Sequence, residues 1–175
     1  MPRMLRTITF VYVPREDRIL TAINAGNPDA WACWLTRRLA LAVLERTTQY
    51  IASNSDLAQR APAELRGEMV AFERDAAIAK TAAAMSNTPS DVLTSTAAAA
   101  AELADRLTIS QHANGFRLEL RGPSDEGAAG VVARAELQRI LQMLKAEIGK
   151  AAWLPPPNAQ TAPAPAAPDS KPARH

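Results

Sequence analysis

The chain has 175 residues, 47% of them apolar, which suits one globular domain with enough material for a buried core. Its 20 basic and 18 acidic residues leave a formal net charge of +2, which gives little electrostatic support for binding to nucleic acid. No apolar run approaches the roughly 20 residues of a membrane-spanning helix, and the N-terminal MPRMLRTITF lacks an apolar leader. We therefore expect a cytoplasmic protein without a membrane partner.

The first predicted element is a β-hairpin. Residues 5–13, LRTITFVYV, are rich in β-branched and aromatic side chains and alternate between two faces, which indicates a strand that ends at Pro14. A charged turn then leads into a second strand over residues 18–24, RILTAIN, which alternates in the same way. The two strands are expected to pair as a hairpin.

The most strongly patterned stretch is residues 27–52, which predicts a long central helix. Asn27 is a suitable N-cap, Pro28 suits the first helical position, and Asp29 places negative charge at the positive end of the helix dipole. The segment is apolar on more than one side of a helical wheel, which is typical of a buried helix that contacts several elements. Cys33, the single cysteine, lies inside it, so we expect a buried and reduced thiol.

Two further helices are predicted after the central one. Apolar residues recur at intervals of three and four from Leu65 to about Met85, which gives an amphipathic second helix. Thr88 begins a second capping signal, Thr-Pro-Ser-Asp, so an alanine-rich third helix is expected to end near Leu103.

A second hairpin is predicted at Asn114-Gly115, a dipeptide that tolerates the positive φ angles of a tight type I′ turn. Pairing Ala113 with Phe116 separates the flanking residues into two faces. The predicted core face contains Leu107, Ile109, Phe116, Leu118 and Leu120. The predicted exposed face contains Thr108, Ser110, His112, Arg117, Glu119 and Arg121.

The C-terminal part of the chain combines a link, a helix and a tail. Residues 122–130, GPSDEGAAG, predict a flexible connection. An apolar stripe from Leu137 to Ile148 predicts a last helix that ends near Trp153. Residues 154–175 are rich in proline and alanine, which predicts a disordered tail.

Together these elements predict a single α+β domain over residues 1–153. Their order is ββαααββα, with a helix after each hairpin. The two hairpins are expected to share one antiparallel sheet, whose apolar face packs against the central and last of about four helices.

The sequence offers few groups for catalysis or for metal binding. Histidine occurs only at positions 112 and 175, and neither a nucleophile elbow nor a ligand spacing typical of zinc is present. The glycines of residues 122–130 lack the lysine of a phosphate-binding loop. We therefore predict no catalytic residue, no metal and no cofactor, and an enzyme without a recognisable motif is the third hypothesis for function.

The leading hypothesis is a non-catalytic protein-interaction module that binds a protein partner or a second copy of the chain. Its predicted contact residues are Trp31, Trp34, Arg37 and Arg38, because tryptophan and arginine dominate binding hot spots and stack on each other. The alternative for these residues is a core role for both rings and acidic partners for both arginines. The proline-rich tail is a further candidate contact.

The second hypothesis is a nucleic-acid-binding protein that uses Arg117, Arg121 and His112 on the exposed face of the second hairpin. It predicts binding that weakens as salt is added. Glu119 lies between the two arginines, and no exposed aromatic residue accompanies them for base stacking, so this hypothesis has less support.

Overall fold

The computed structural model describes residues 1–81 and 98–154, and it confirms the α+β class. We number the elements in chain order. They are β1 (Arg3–Met4), β2 (Ile8–Val13), β3 (Arg18–Ile23), β4 (Trp31–Leu35), α1 (Arg37–Ser53), α2 (Asp56–Arg60), a 3₁₀ turn (Ala63–Leu65), α3 (Arg66–Thr81), β5 (Glu102–Leu103), β6 (Arg106–His112), β7 (Gly115–Arg121), β8 (Gly127–Val132) and α4 (Arg134–Lys150). None of the described helices is long and apolar enough to cross a bilayer.

The two hairpins lie in separate sheets, so the expectation of one shared sheet is wrong. The first sheet has the strand order β1-β8-β7-β6, and the second has the order β2-β3-β4-β5. Each hairpin gains a third strand that the sequence analysis does not assign, because β4 pairs antiparallel with β3 and β8 pairs antiparallel with β7. Each hairpin therefore extends within its own sheet.

The predicted central helix begins nine residues later than expected. Asn27 and Pro28 lie in a turn, where the Asn27 backbone N–H donates to the Asn24 carbonyl at 3.0 Å. Trp31–Leu35 then forms β4, and α1 begins at Arg37 with Thr36 as its N-cap. All five residues of this short run are apolar, so the run fits a strand buried on both faces as well as a helix, and pairing with β3 decides in favour of the strand.

Other differences concern one short helix and one short strand, and parts of three predicted elements lie outside the described residues. The polar run before Pro62 contains the helix α2, whose Ser55 side chain accepts from the Ala58 backbone N–H at 3.0 Å. The end of the predicted third helix is wrong, because Glu102–Leu103 pairs parallel with β4 as a strand. The rest of that helix up to residue 97, the end of the second helix beyond residue 81, and the predicted tail over residues 155–175 lie outside the described residues.

The second hairpin and its two faces are confirmed, although its turn differs from the prediction. His112 pairs with Gly115, so the two-residue loop is Ala113-Asn114. Gly115 has φ +145°, whereas Asn114 is not among the residues with positive φ, so the turn is not type I′. The core-face residues Phe116, Leu118 and Leu120 remain buried because the register differs by two residues, which preserves the side-chain alternation.

The predicted flexible link is ordered over most of its length. Gly127–Val132 forms the strand β8 because small residues allow a close backbone approach to β7. A Cβ atom on Gly127 would lie 2.1 Å from the Leu120 carbonyl oxygen. The reversal itself occupies residues 122–126, where the Gly122 backbone N–H donates to the Glu126 carbonyl at 3.0 Å.

The main core lies between the two sheets and the helices α1 and α4. The predicted stripe of α4 is confirmed as buried, and its members are Leu137, Ile140, Leu141, Leu144 and Ile148. Near its end Glu147 accepts from the Tyr12 backbone N–H at 2.8 Å, which fixes α4 against the outer edge of β2. A smaller cluster of Leu20, Ala32 and Trp34 covers the other face of the second sheet.

Cys33 is fully buried, as predicted, and its burial has a measurable consequence at alkaline pH. Burial, with a smaller effect from Glu102, raises the pKa of its thiol to about 12 from 9.0. The unfolded thiol loses its proton from about pH 9, whereas the folded thiol stays protonated until about pH 12. Deprotonation therefore favours the unfolded chain across this range.

We expect the free energy of unfolding to fall between pH 9 and pH 12 with a contribution from Cys33 of up to about 1.4 kcal/mol per pH unit. Urea unfolding of the wild-type protein and of Cys33→Ala at several pH values measures it. The variant should show a shallower decline than the wild type. Equal slopes for the two proteins would show that Cys33 does not carry this alkaline dependence.

Candidate functional site

The two tryptophans of the predicted contact cluster lie on opposite faces of β4. Trp34 is only 9% exposed and packs in the smaller core cluster. Trp31 is half-buried beside the main core, and its Nε1 donates to Glu102 Oε1 at 3.3 Å. The hydrogen bond from Ser124 to the same carboxylate holds the pKa of Glu102 below its usual value. The two indole rings therefore do not form one shared surface.

The two arginines of that cluster are exposed at the start of α1. Arg37 donates to the Trp153 carbonyl oxygen at 3.4 Å. Glu45, a candidate acidic partner further along α1, accepts instead from Gln49 at 3.4 Å. Arg37 and Arg38 are thus accessible to a partner, whereas Trp34 is buried and does not share an exposed surface with them.

The second hairpin places Arg117 and Arg121 together on its outer face, where both approach the same acid. Arg121 Nε lies 2.6 Å from Glu119 Oε1, and its terminal nitrogen lies 2.7 Å from Asp125 Oδ1. Arg117 lies 3.6 Å from Glu119. The hydrogen bond from Arg121 holds the pKa of Glu119 below its usual value, so this acid stays charged and offsets its neighbours. His112 is exposed at the end of the hairpin, as predicted.

A large groove lies on the described surface between α1, α3 and α4, and we call it the helical groove. Its volume is about 730 Å³. Its apolar walls are formed by Leu41, Leu44, Ile51, Val70, Leu141 and Leu154. Its polar rim is formed by Glu45, Thr48, Gln49, Arg74, Gln138, Gln142 and Lys145.

The sequence contains part of the signal for the helical groove. Leu41 and Leu44 belong to the second apolar face of the predicted central helix, and both line the groove while they are half-buried against the main core. Arg134, at the start of α4, holds the neighbouring helices in place. It donates to the Ile51 carbonyl at 3.0 Å and to the Asn54 carbonyl, and it lies 3.8 Å from the Glu73 carboxylate of α3.

On the side of α3 away from the helical groove, part of the apolar stripe predicted for the second helix faces solvent. Leu65, in the 3₁₀ turn, is 41% exposed, and Phe72, on α3, is 64% exposed. The residues of α3 that face the protein include Ala77, which is buried, and Glu73 near Arg134. This helix therefore contributes both a groove wall and an exposed apolar surface.

A second concavity lies between α1 and β6, and we call it the edge groove. Its volume is about 230 Å³. Its lining residues are Leu39, Ala42, Val43, Arg46, Thr47, Tyr50, Leu107 and Ile109. Among the described residues, Arg46 has no ion-pair or hydrogen-bond partner, and the buried hydroxyl of Thr47 has no hydrogen-bond partner. An unpaired buried hydroxyl such as that of Thr47 is rare in protein interiors, whereas Arg46 is exposed to solvent.

The described residues contain no group of three or more His, Cys, Asp or Glu side chains arranged to hold a metal ion. The concave features are mainly apolar, and their polar groups lie on the rim of the helical groove or at the Arg46 and Thr47 positions of the edge groove. This arrangement suits contact with another chain more than the activation of a small substrate. No protein-family model, curated protein or solved structure matches the chain.

Proposed function

We propose that this chain is a non-catalytic protein-interaction module whose partner binds in the helical groove. The observation that carries the proposal is the groove itself, a volume of about 730 Å³ with apolar walls from three helices and a polar rim. Grooves of this construction receive the apolar face of a partner helix, while rim groups fix its orientation.

The charges of the rim indicate what the partner helix carries. Glu45 lies on α1, whereas Arg74 on α3 and Lys145 on α4 lie on the other two walls. These charges have mixed sign, so a strongly basic or strongly acidic helix would meet repulsion on one side. The best fit is an amphipathic helix with an apolar stripe and charges of both signs at its margins, from another protein or from a second copy of this chain.

The remaining candidate residues support this proposal to different degrees. Arg37 and Arg38 stay as proposed contacts because both are exposed on α1, whereas the burial of Trp34 favours a structural role. The nucleic-acid alternative has weaker support because Glu119 and Asp125 pair with Arg121 and reduce the local positive charge. The helical groove therefore provides the sharper test.

A matched pair of leucines makes the test possible. Leu154 lines the helical groove and is 40% exposed, and Leu57 is 41% exposed on α2 without lining it. Leu154→Glu should weaken partner binding at least about tenfold, because a carboxylate placed against the apolar wall loses hydration when the partner covers it. Leu57→Glu adds the same charge outside the groove and should leave affinity within about twofold of the wild type.

Binding is measured first by size-exclusion chromatography with light scattering, which detects a second copy as the partner. Proteins captured from cells that express the chain are then purified and titrated against the wild type and both variants. A dimer or a purified complex that Leu154→Glu weakens and Leu57→Glu does not would support the proposal. A monomer that binds no purified candidate, or a partner lost equally from both variants, would contradict it.

A further inference from the structure

The long edge strands of the two sheets differ in how they are protected. Exposed strand edges are templates for pairing, and proteins usually cover them, charge them or interrupt them. On β2, Glu147 from α4 accepts from the Tyr12 backbone N–H. On β6, the pairing with β7 is continuous from Arg106 to His112, and the strand contains no proline. Its other side is unpaired in the described sheet, so β6 is an open edge.

The hairpin geometry shows which backbone groups of β6 point away from the sheet. His112 and Gly115 close a two-residue loop, which makes them a hydrogen-bonded pair. Hydrogen-bonded and non-hydrogen-bonded pairs alternate along an antiparallel ladder. The backbone N–H and C=O groups of Leu107, Ile109 and Gln111 therefore point outward, where a further strand can pair with them.

The edge groove lies where the side chains of such a strand would point. Leu107 and Ile109 are half-buried on the inner face of β6, and they line this groove together with Val43 and Tyr50 of α1. A strand added beside β6 would place every second side chain between β6 and α1. Thr47 supplies a buried hydroxyl without a partner at the same place, so the groove offers an unused polar group as well as apolar walls.

Two arginines without a described partner lie near the open edge. Arg106 lies on the outer face of β6 and has no described partner, whereas Arg117 on β7 is offset by Glu119 at 3.6 Å. Arg46 adds an unpaired positive charge at the edge groove. A segment with apolar residues on one face and carboxylates on the other would satisfy both sides of the edge.

We propose that β6 and the edge groove form a strand-addition site for an extended partner segment in which apolar and acidic residues alternate. Backbone hydrogen bonds to Leu107, Ile109 and Gln111 provide the pairing, and the edge groove and the nearby arginines provide the selectivity. The site shares no lining residue with the helical groove. Its occupation is therefore independent of the function proposed above.

The probe is a fluorescein-labelled, C-terminally amidated peptide with the sequence Val-Glu-Val-Glu-Val-Glu-Val, titrated into the full chain and followed by fluorescence anisotropy. The matched control peptide contains the same residues as a block of four valines followed by three glutamates. We expect saturable binding of the alternating peptide and at least about tenfold weaker binding of the block peptide, because only alternation separates the two faces of a strand.

Two substitutions at one exposed position isolate the backbone contribution. Gln111→Pro removes an outward N–H that β7 does not use, and proline is tolerated at such edge positions, whereas Gln111→Ala keeps the N–H. We expect Gln111→Pro to bind the alternating peptide about fivefold more weakly than Gln111→Ala, the effect of one lost hydrogen bond. Circular dichroism checks that both variants fold.

Amide hydrogen exchange on the wild-type protein gives a second measurement that needs no variant. Peptide binding should slow exchange at Leu107, Ile109 and Gln111 and leave Thr108 and Ser110 nearly unchanged, because β7 already protects the latter two. The proposal would be overturned if the alternating peptide showed no saturable binding or if the block peptide bound equally well. It would also be overturned if peptide binding slowed amide exchange in other segments but not in β6. If the protein bound no peptide but self-associated, and if Gln111→Pro abolished that self-association, the edge would be assigned to a second copy of the chain. This result would overturn the proposal of an acidic partner segment.

Discussion

Replacing Asn24 by alanine is expected to lower the free energy of unfolding by about 4 kcal/mol. Asn24 is fully buried, and its side-chain oxygen accepts from the backbone N–H groups of Arg6 at 2.9 Å and Thr7 at 3.1 Å. Its Nδ2 donates to the Met4 carbonyl at 2.7 Å and to Asp29 at 3.0 Å. Alanine would remove all four of these partly buried hydrogen bonds.

The backbone conformation of Asn24 adds to this cost. Its φ is +51°, a left-handed conformation that asparagine adopts more readily than alanine. One residue therefore connects the segment after β1, the start of β2 and the turn that leads to β4. Loss of Asn24 should loosen the attachment of the N-terminal segment as well as the second sheet.

Urea unfolding of three variants separates the two contributions. Asn24→Gly keeps access to positive φ but removes the hydrogen bonds, so it should destabilise the protein by about 1 kcal/mol less than Asn24→Ala. Asn24→Asp keeps the accepting oxygen but loses the donor groups and places a second carboxylate near Asp29. If Asn24→Ala cost less than about 1 kcal/mol, the hydrogen-bonding role assigned to this residue would be wrong.

Replacing Gly115 by alanine is expected to lower the free energy of unfolding by about 3 kcal/mol. Its φ of +145° is a conformation that residues with a side chain rarely adopt. A Cβ atom at this position would lie 2.2 Å from the Val132 carbonyl oxygen and 3.2 Å from the Ala133 Cα. These are backbone atoms, so the contact cannot be relieved by a side-chain rotation. The turn between β6 and β7 would have to move away from the end of β8.

Gly67→Ala is the control for this prediction. Gly67 lies in α3, and a Cβ atom there meets nothing within 4 Å. Alanine in a helix is favoured over glycine, so this variant should be more stable by about 0.5–1 kcal/mol. Thermal and urea unfolding of the two variants should therefore shift in opposite directions. Equal stability of Gly115→Ala and the wild type would contradict the close approach of Gly115 to β8.

Local patterns were sufficient for the elements whose pairing or packing is also local. Alternation and the Asn114-Gly115 dipeptide predict the second hairpin and its faces, and the apolar stripe of α4 predicts its buried side. Residues 27–35 mislead because Asn27-Pro28-Asp29 satisfies the rules for a helix start although it forms a turn. Only the long-range pairing of β4 with β3 reveals the strand.

The binding surfaces were less accessible to sequence analysis for a related physical reason. The second apolar face of α1 is visible in the sequence, but the helical groove also needs Val70 and Leu141, which come from helices far along the chain. The edge groove joins residues of α1 to Leu107 and Ile109 of β6, and the unpaired buried hydroxyl of Thr47 is a property of the folded structure alone. Trp31 and Trp34 were predicted to form one contact cluster because a helix was assumed where the structure has a strand.

Binding of a protein partner in the helical groove is tested by the ratio of two dissociation constants. The measurement titrates one purified partner against Leu154→Glu and Leu57→Glu under the same conditions. Binding in the helical groove predicts that Leu154→Glu binds at least about tenfold more weakly than Leu57→Glu. Equal dissociation constants for the two variants would contradict it.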